Sequence, residues 1–410
     1  MRIAFVDLVF AWPPPGGAQA DLYYTMLGLQ KLGHEVRLFA TCYHFLWRFN
    51  EFDPDDLPFP STPVWITEDS YNCRAIPARF RKEVDAWKPD AVFIGLGRYL
   101  KPYVIDALAH YPVISRYYMY EHLCLRDFCL FRFERTCPND LFETPNVCRS
   151  CAAQCWRKDI SSGKPTTYSH EYLRTRAYTR AFHRLFVESM GKVRLAIVNN
   201  DLAKGRLEGR CADVRIIPGG VNLAEIHTEP PREKGPDERK VILLSGRTDD
   251  RRKGVDVMLE AGQALSRVRN DFEVWVTQNE QDYDHDWLNY VGWHNHSEIM
   301  ALYGQADICV VPSVWEEPFG LVAIEGMAAY LPVCASRVGG LKGIVQDKET
   351  GLLFEAGDSA ELALHLNRLL DDPALRKRMG EAGRRRVEAE YDWDVIVPEY
   401  YPNLLEEIAG

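Results

Sequence analysis

The feature that most constrains this chain is an alternation of short apolar runs with helix-patterned stretches, set up twice along its length. After Arg2, the run to Val9 is apolar or small but for Asp7, as in a central parallel strand. Pro13-Pro14-Pro15-Gly16-Gly17 breaks it. A helical pattern covers 18–32, Gly33-His34 ends it, and 35–40 is a second strand. Strand, glycine loop, helix, strand is a βαβ unit. Further strands are expected at 91–94, 113–115, 195–198 and 214–217, with one long helix over 171–190. The turn at 218–222 and the Pro- and charge-rich stretch 229–240 read as an interdomain linker. The alternation then restarts, with strands at 241–244, 272–277, 308–312 and 332–335 and helices over 255–268, 318–329 and 374–390.

A chain of 410 residues suits two domains better than one core. The expected architecture is α/β, two Rossmann-like doubly wound domains facing each other across a cleft. The first covers 1–218 with a Cys-rich insertion at 122–156. A linker at 219–240 leads to the second domain at 241–390, and the segment 391–410 packs back on the first. Ligands of such folds bind at the carboxyl ends of the strands.

No run of about 18 apolar residues offers a spanning helix. Met1-Arg2 leads directly into the first strand without a secretory pattern, so a cytoplasmic protein is expected. The net charge of −10 argues against nucleic acid as a partner. A local basic patch is compatible with peripheral contact at the inner face of a membrane. Arg176, Arg180 and Arg184 recur every four residues, which suits a solvated helix face or, as the alternative, lipid headgroups or a pyrophosphate-linked acceptor.

Six of eleven cysteines lie between Cys124 and Cys155. Cys137, Cys148, Cys151 and Cys155 have a spacing that suits thiolate binding of a structural zinc ion. Free thiols and an iron–sulfur cluster are the alternatives. Cysteines in apolar settings, such as Cys309, read as buried and reduced.

The sharpest local signal is the segment from Ser313 to Glu325. Pro318 suits the first position of a helix, which would place free N–H groups at Phe319, Gly320 and Leu321, ready for an anion such as a diphosphate. Glu325 lies eight residues beyond Glu317, roughly 12 Å along a helix. That is about the distance between the hexose and the ribose of one nucleotide diphosphate sugar. The same two residues also suit a plain helix cap and a solvated helix position.

The segment resembles the E-x7-E motif of glycosyltransferase family 4, a family of retaining enzymes with the GT-B fold. Ser245-Gly246-Arg247 with Lys253-Gly254 is similar to that family's G-R…K-G element. Gly304 to Pro312, Val338-Gly339-Gly340, Thr350-Gly351-Leu352-Leu353, Pro15-Gly16-Gly17 and Ile217 to Asn222 resemble further family elements in the right order. The resemblance implies that Glu317 contacts the donor hexose and Glu325 the ribose. It implies that the backbone at Phe319, Gly320 and Leu321 holds the diphosphate, and that Arg247 and Lys253 neutralise it in place of a metal. Gly16 and Gly17 would close on the leaving group, His122 would reach the donor sugar, and His294 would wall the base pocket. Family members from bacterial polysaccharide assembly look similar in the Cys-rich insertion. Two positions depart from the family pattern: Tyr330, where a helix-ending Gly is usual, and Gly343, where Glu is usual.

The activity implied is retaining transfer of a hexose from a nucleotide diphosphate sugar to a hydroxyl of a glycan, lipid-linked or small-molecule acceptor. No cofactor is required for transfer. The alternatives are a same-fold epimerase or phosphorylase and a catalytically silent nucleotide-sugar-binding scaffold subunit. Asp282-Tyr283-Asp284 has a metal-motif spacing but reads as a polar loop.

Overall fold

The computed structural model describes residues 1–45, 52–126, 128–132, 135–161, 166–226, 229–232, 234–235, 237–278 and 285–409. It divides into two compact units. One comprises Met1–Leu130, Cys137–Pro218 and the chain from Ile396 onward; the other comprises Phe131–Thr136 and Gly219–Val395.

The first stretch of chain runs β1 (Arg2–Asp7), α1 (Gly17–Lys31), β2 (Glu35–Cys42), β3 (Ser61–Trp65), α2 (Ala75–Trp87), β4 (Ala91–Ile94), α3 (Lys101–Leu108) and β5 (Val113–Arg116). A two-residue pair follows, β6 (Phe131–Arg132) and β7 (Arg135–Thr136), then α4 (Pro145–Ser161), α5 (Thr167–Arg174) and α6 (Arg180–Met190). The unit's sheet is completed by β8 (Val193–Val198), α7 (Asp201–Leu207) and β9 (Val214–Ile216). Its order is β3-β2-β1-β4-β5-β8-β9, parallel throughout. Ile3 on the central strand pairs with Val36 on one side and Ala91 on the other. Both faces of such a strand are covered, which is why its sequence is almost wholly apolar.

The second unit repeats the plan with β10 (Lys240–Leu244), α8 (Val255–Ser266), β11 (Phe272–Val276), β12 (Leu288–Tyr290), α9 (His296–Tyr303), β13 (Ile308–Val311) and α10 (Leu321–Ala328). It continues with β14 (Val333–Ser336), α11 (Leu341–Ile344), β15 (Gly351–Phe354), α12 (Ser359–Asp371) and α13 (Pro373–Glu390). The sheet order is β12-β11-β10-β13-β14-β15, again all parallel. Alternate strand residues feed two cores. Ile242, Val274 and Val310 pack with Met258 and Leu366, while Leu243, Cys309 and Val333 pack with Ile324 and Met327. In both sheets the order reverses beside the first strand, which creates a switch point between β1 and β4 and between β10 and β13.

The last helix, α14 (Trp393–Ala409), belongs to the first unit from Ile396 on. Its Val397 lies against Gly28 of α1, where an added Cβ would meet the valine side chain at 2.7 Å. Glycine at this position is what lets the two helices approach.

Two local expectations are corrected. The helix expected over 171–190 is two helices, because Arg176 adopts φ 55° and the Thr179 side chain caps a new start at Phe182 N. Arg176, Arg180 and Arg184 therefore do not form one helical stripe. The helix expected from Pro318 begins at Leu321, since Gly320 at φ 133° interrupts helical geometry. Strand β3 was unforeseen because Pro63 lies within it, and it is tolerated there because β3 is the sheet edge. Tyr330 occupies the left-handed region at φ 61°, with Leu331 N donating to Gly326 O at 2.9 Å. A helix end of that shape normally takes glycine. Asp282-Tyr283-Asp284 lies outside the described residues.

Candidate functional site

The loops that leave β10 and β13 meet at the switch point of the second sheet. After β10, Gly246 turns the chain at φ 96° and Arg247 stands exposed. Asp250 caps a single 3-10 turn over Arg251–Lys253 and holds the Arg252 guanidinium at 2.7 Å. Gly254 ends the turn at φ 76°, so close to the other loop that an added Cβ would lie 1.8 Å from Pro312 O. Val314 N donates to Arg252 O at 2.9 Å, tying the loops backbone to backbone.

This closeness places Lys253 Nζ 3.0 Å from each carboxylate oxygen of Glu317. Ser313 Oγ donates to Glu317 Oε2, also at 3.0 Å. Glu317 is buried and not a helix residue, so the distance reckoned along a continuous helix to Glu325 does not apply. The backbone from Glu316 to Phe319 rests on the loop after β14. Gly340 N donates to Glu317 O, and Gly339 N to Glu316 Oε2, both at 2.7 Å. A Cβ on Gly339 would sit 2.0 Å from Glu317 O, and one on Gly340 2.4 Å from Phe319 O. Two glycines are thus the platform on which the Glu317 loop lies.

Gly320 caps α10, and the N–H groups of Leu321 and Val322 open the helix where no intrahelical acceptor exists. Phe319 is half-buried against Tyr391, with ring centroids 6.1 Å apart. Glu325 sits one turn into α10 and is buried; Tyr303 Oη donates to its Oε2 at 3.0 Å. Burial pushes its pKa up to about 7, opposed by that single hydrogen bond. His294 is half-buried, its Nε2 2.7 Å from Val291 O.

In the first unit, Gly16 and Gly17 are exposed at the start of α1, just past β1. His122 follows β5 in the chain and is buried. It is enclosed, its ring tilted against Tyr117 with 4.8 Å between centroids, and neither ring nitrogen has a hydrogen-bond partner. Burial pushes its pKa down to about 3, so the ring is neutral near pH 7. The residues that do gather at the carboxyl ends of these strands were missed in the sequence. Asp7 accepts from Val9 N and Leu96 N at 2.8 and 2.7 Å, with its pKa pushed up to about 7 by burial. Arg116 at the end of β5 pairs with Asp21 of α1 at 2.9 Å, and Lys101 Nζ donates to Arg116 O at 2.5 Å. The one charge in the first apolar run, Asp7, was the available signal.

Among the described residues no group of three or more His, Cys, Asp and Glu side chains could hold a metal ion. Cys148, Cys151 and Cys155 all lie in α4. The first and last are seven residues apart, about 10.5 Å along a helix axis. Thiolates sharing one zinc must each lie about 2.3 Å from it. Cys137, Cys148, Cys151 and Cys155 form no disulfide.

Residues 226–386 match the family described as Glycosyl transferases group 1. The matched residues lie in the second unit. The phosphatidyl-myo-inositol mannosyltransferase of Mycobacterium leprae is 32% identical over 214 residues, 50% of this chain and 56% of its own length. A glycogen synthase of Mycobacterium tuberculosis is 34% identical over 200 residues, 45% of this chain and 46% of its own. The chain thus spans about half the length of the curated relatives it matches. The structure of Anabaena HepE in complex with UDP has a TM-score of 0.67 at 15% identity and covers 99% of this chain and 100% of its own. Sucrose-phosphate synthase from Thermosynechococcus elongatus gives 0.66 at 20%, covering 100% and 99%. The fold is GT-B, two Rossmann-like domains, and the residues that match the group 1 family lie in the second of them. Among the described residues, no helix is long and apolar enough to cross a membrane.

Proposed function

We propose that the chain is a retaining glycosyltransferase that moves a hexose from a nucleotide diphosphate sugar to a hydroxyl of a glycan, lipid-linked or small-molecule acceptor. One observation carries this reading: at the switch point of the second unit, a cation, a carboxylate and a helix start converge, with Lys253 Nζ on Glu317 directly before α10. The helix start and the cations Arg247 and Lys253 suit a diphosphate. Glu317 then faces the hexose, the backbone of Phe319, Gly320 and Leu321 lies along the diphosphate, Glu325 takes the ribose, and His294 flanks the base.

In this reading the acceptor hydroxyl attacks the anomeric carbon from the face the diphosphate leaves. The bond from that carbon to the phosphate oxygen breaks as the new glycosidic bond forms. The hydroxyl proton passes to the leaving oxygen, and the configuration is retained. Arg247 and Lys253 offset the charge that develops on the diphosphate, without a metal ion. The acceptor is assigned to the first unit. Its exposed Leu173, Tyr178 and Val187, beside Arg174, Arg180 and Arg184, suit a peripheral contact with an anionic membrane face.

The test is thermal shift against UDP-, GDP-, ADP- and dTDP-sugars, followed by label transfer with and without acceptor. One base should stabilise strongly, and transfer should need the acceptor but no added divalent metal. Failure of every nucleotide sugar to stabilise the protein overturns the reading.

A further inference from the structure

Three buried side chains of the second unit form a chain of hydrogen bonds that ends on Glu325. Ser245 Oγ lies 2.7 Å from Tyr303 Oη, and Tyr303 Oη lies 3.0 Å from Glu325 Oε2. Ser245 follows β10, Tyr303 closes α9 and Glu325 sits within α10, so three separate elements converge on one polar contact. All three are buried, Tyr303 completely. A phenol has one hydrogen to give. When it goes to the Glu325 carboxylate, Tyr303 Oη must accept from Ser245. The Val322 carbonyl, 3.4 Å away, is the other acceptor for the same hydrogen. The phenol therefore has two states, set by whether Glu325 is charged.

We propose that Tyr303, oriented by Ser245, is a positioning residue that keeps Glu325 a carboxylate for the vicinal hydroxyls of the nucleotide ribose, so that nucleotide binding follows the state of this phenol. The proposal rests on the reading above that α10 carries the nucleotide. A carboxylate is acceptor-only and can take both hydroxyls of a diol; a protonated carboxyl presents a donor to one of them. In a site this enclosed the charged form is costly, and the Tyr303 bond is the contact that offsets the cost. The other titratable groups facing Glu325 are Tyr303 itself on α9 and Cys309 on β13. Burial pushes both well above their usual range, so neither ionises near neutral pH. Lys253, the cation of the loop after β10, is paired with Glu317.

The experiment is calorimetric titration of the full chain with UDP, GDP and ADP from pH 5.5 to 9, for the parent, Tyr303→Phe and Ser245→Ala. Parent affinity should rise with pH as Glu325 ionises and then level off. Tyr303→Phe keeps the ring and its packing but removes the donor. It should move the midpoint up by about one unit, which lowers affinity about fivefold at pH 7 and leaves it within about twofold of the parent at pH 9. Ser245→Ala should move the midpoint the same way by less. A loss that is equal at every pH, as a purely structural defect would give, or an unmoved midpoint in both variants, overturns the proposal. If the parent binds none of the three diphosphates at any pH, the nucleotide reading itself falls, and the relay falls with it.

Discussion

Lys253 Nζ sits 3.0 Å from both carboxylate oxygens of Glu317, although the two belong to loops from different strands. The cation assigned to the diphosphate is thus neutralised by the carboxylate assigned to the hexose until a donor arrives. Glu317→Gln should release that charge. The expected outcome is nucleoside diphosphate binding that is unchanged or up to about tenfold tighter, with transfer lowered at least about a hundredfold, since the hexose contact is lost. Calorimetry with the bare diphosphate, alongside a transfer assay, checks both halves. Weaker diphosphate binding in this variant would place Glu317 elsewhere in the site.

The same site makes a second demand, on charge. Arg247→Ala and Lys253→Ala should each cost at least about tenfold in turnover without added metal, because each removes positive charge from the leaving diphosphate. Steady-state kinetics in chelator decides it. Activity that needs magnesium or manganese and tolerates both substitutions contradicts the metal-free mechanism.

Gly339 supports the Glu317 loop by lacking a side chain. Its φ of 47° and the 2.0 Å separation between an added Cβ and Glu317 O leave no room for alanine. Gly339→Ala should cost about 2–4 kcal/mol and displace Glu317, as backbone clashes of this kind do. Chemical denaturation and diphosphate binding are the measurements. Gly343, beside which an added Cβ meets nothing within 4 Å, is the matched control, and Gly343→Ala should change neither by much.

Stability should depend on pH through Glu325. Its folded pKa is about 7, above the usual carboxylate value of 4.5. The folded chain therefore holds this proton when the unfolded chain has lost it, and stability falls as pH rises from about 4.5 to 7. Glu325→Gln removes that dependence. The variant should match the parent near pH 5 and exceed it at pH 8 by on the order of 2–3 kcal/mol. It should also bind nucleoside diphosphate more weakly, so stability and binding move in opposite directions. Melting temperatures at the two pH values test the sign, and a variant less stable than the parent at pH 8 would refute it.

Cys148 of α4 should be a slow nucleophile. Burial pushes the Cys148 pKa up to about 11. At pH 8 its thiolate fraction should be about a hundredfold below that of an ordinary thiol, and its alkylation correspondingly slow. Mass spectrometry of maleimide-labelled protein resolves the sites. Stoichiometric zinc released on labelling would show that α4 is remodelled around a metal.

The residues of the second sheet announced themselves in the sequence because their requirements are local. A parallel strand buried on both faces must be apolar along its length, so Val241 to Leu244 and Ile308 to Val311 stand out in any reading. Gly254, Gly339 and Gly340 belong to recognisable short motifs, and the close backbone approaches at all three show why glycine is needed there. Where local rules misled, a neighbour decided the matter. Pro318 suits a first helical turn, yet Gly320, pressed against Leu341 and Ile344, delays α10 to Leu321.

The sequence by itself determined two doubly wound sheets and the identity of the charged groups near the second switch point, since strand hydropathy and glycine loops are encoded residue by residue. Only the tertiary structure decided which of those groups touch. The Lys253–Glu317 pair, the Ser245–Tyr303–Glu325 chain and the enclosure of His122 each join residues whose chain separation says nothing of their distance. The same holds for charge state. The pKa of a carboxyl group depends on the water that packing removes and the partners it supplies, and for Glu325 and Asp7 both come from other elements of the fold.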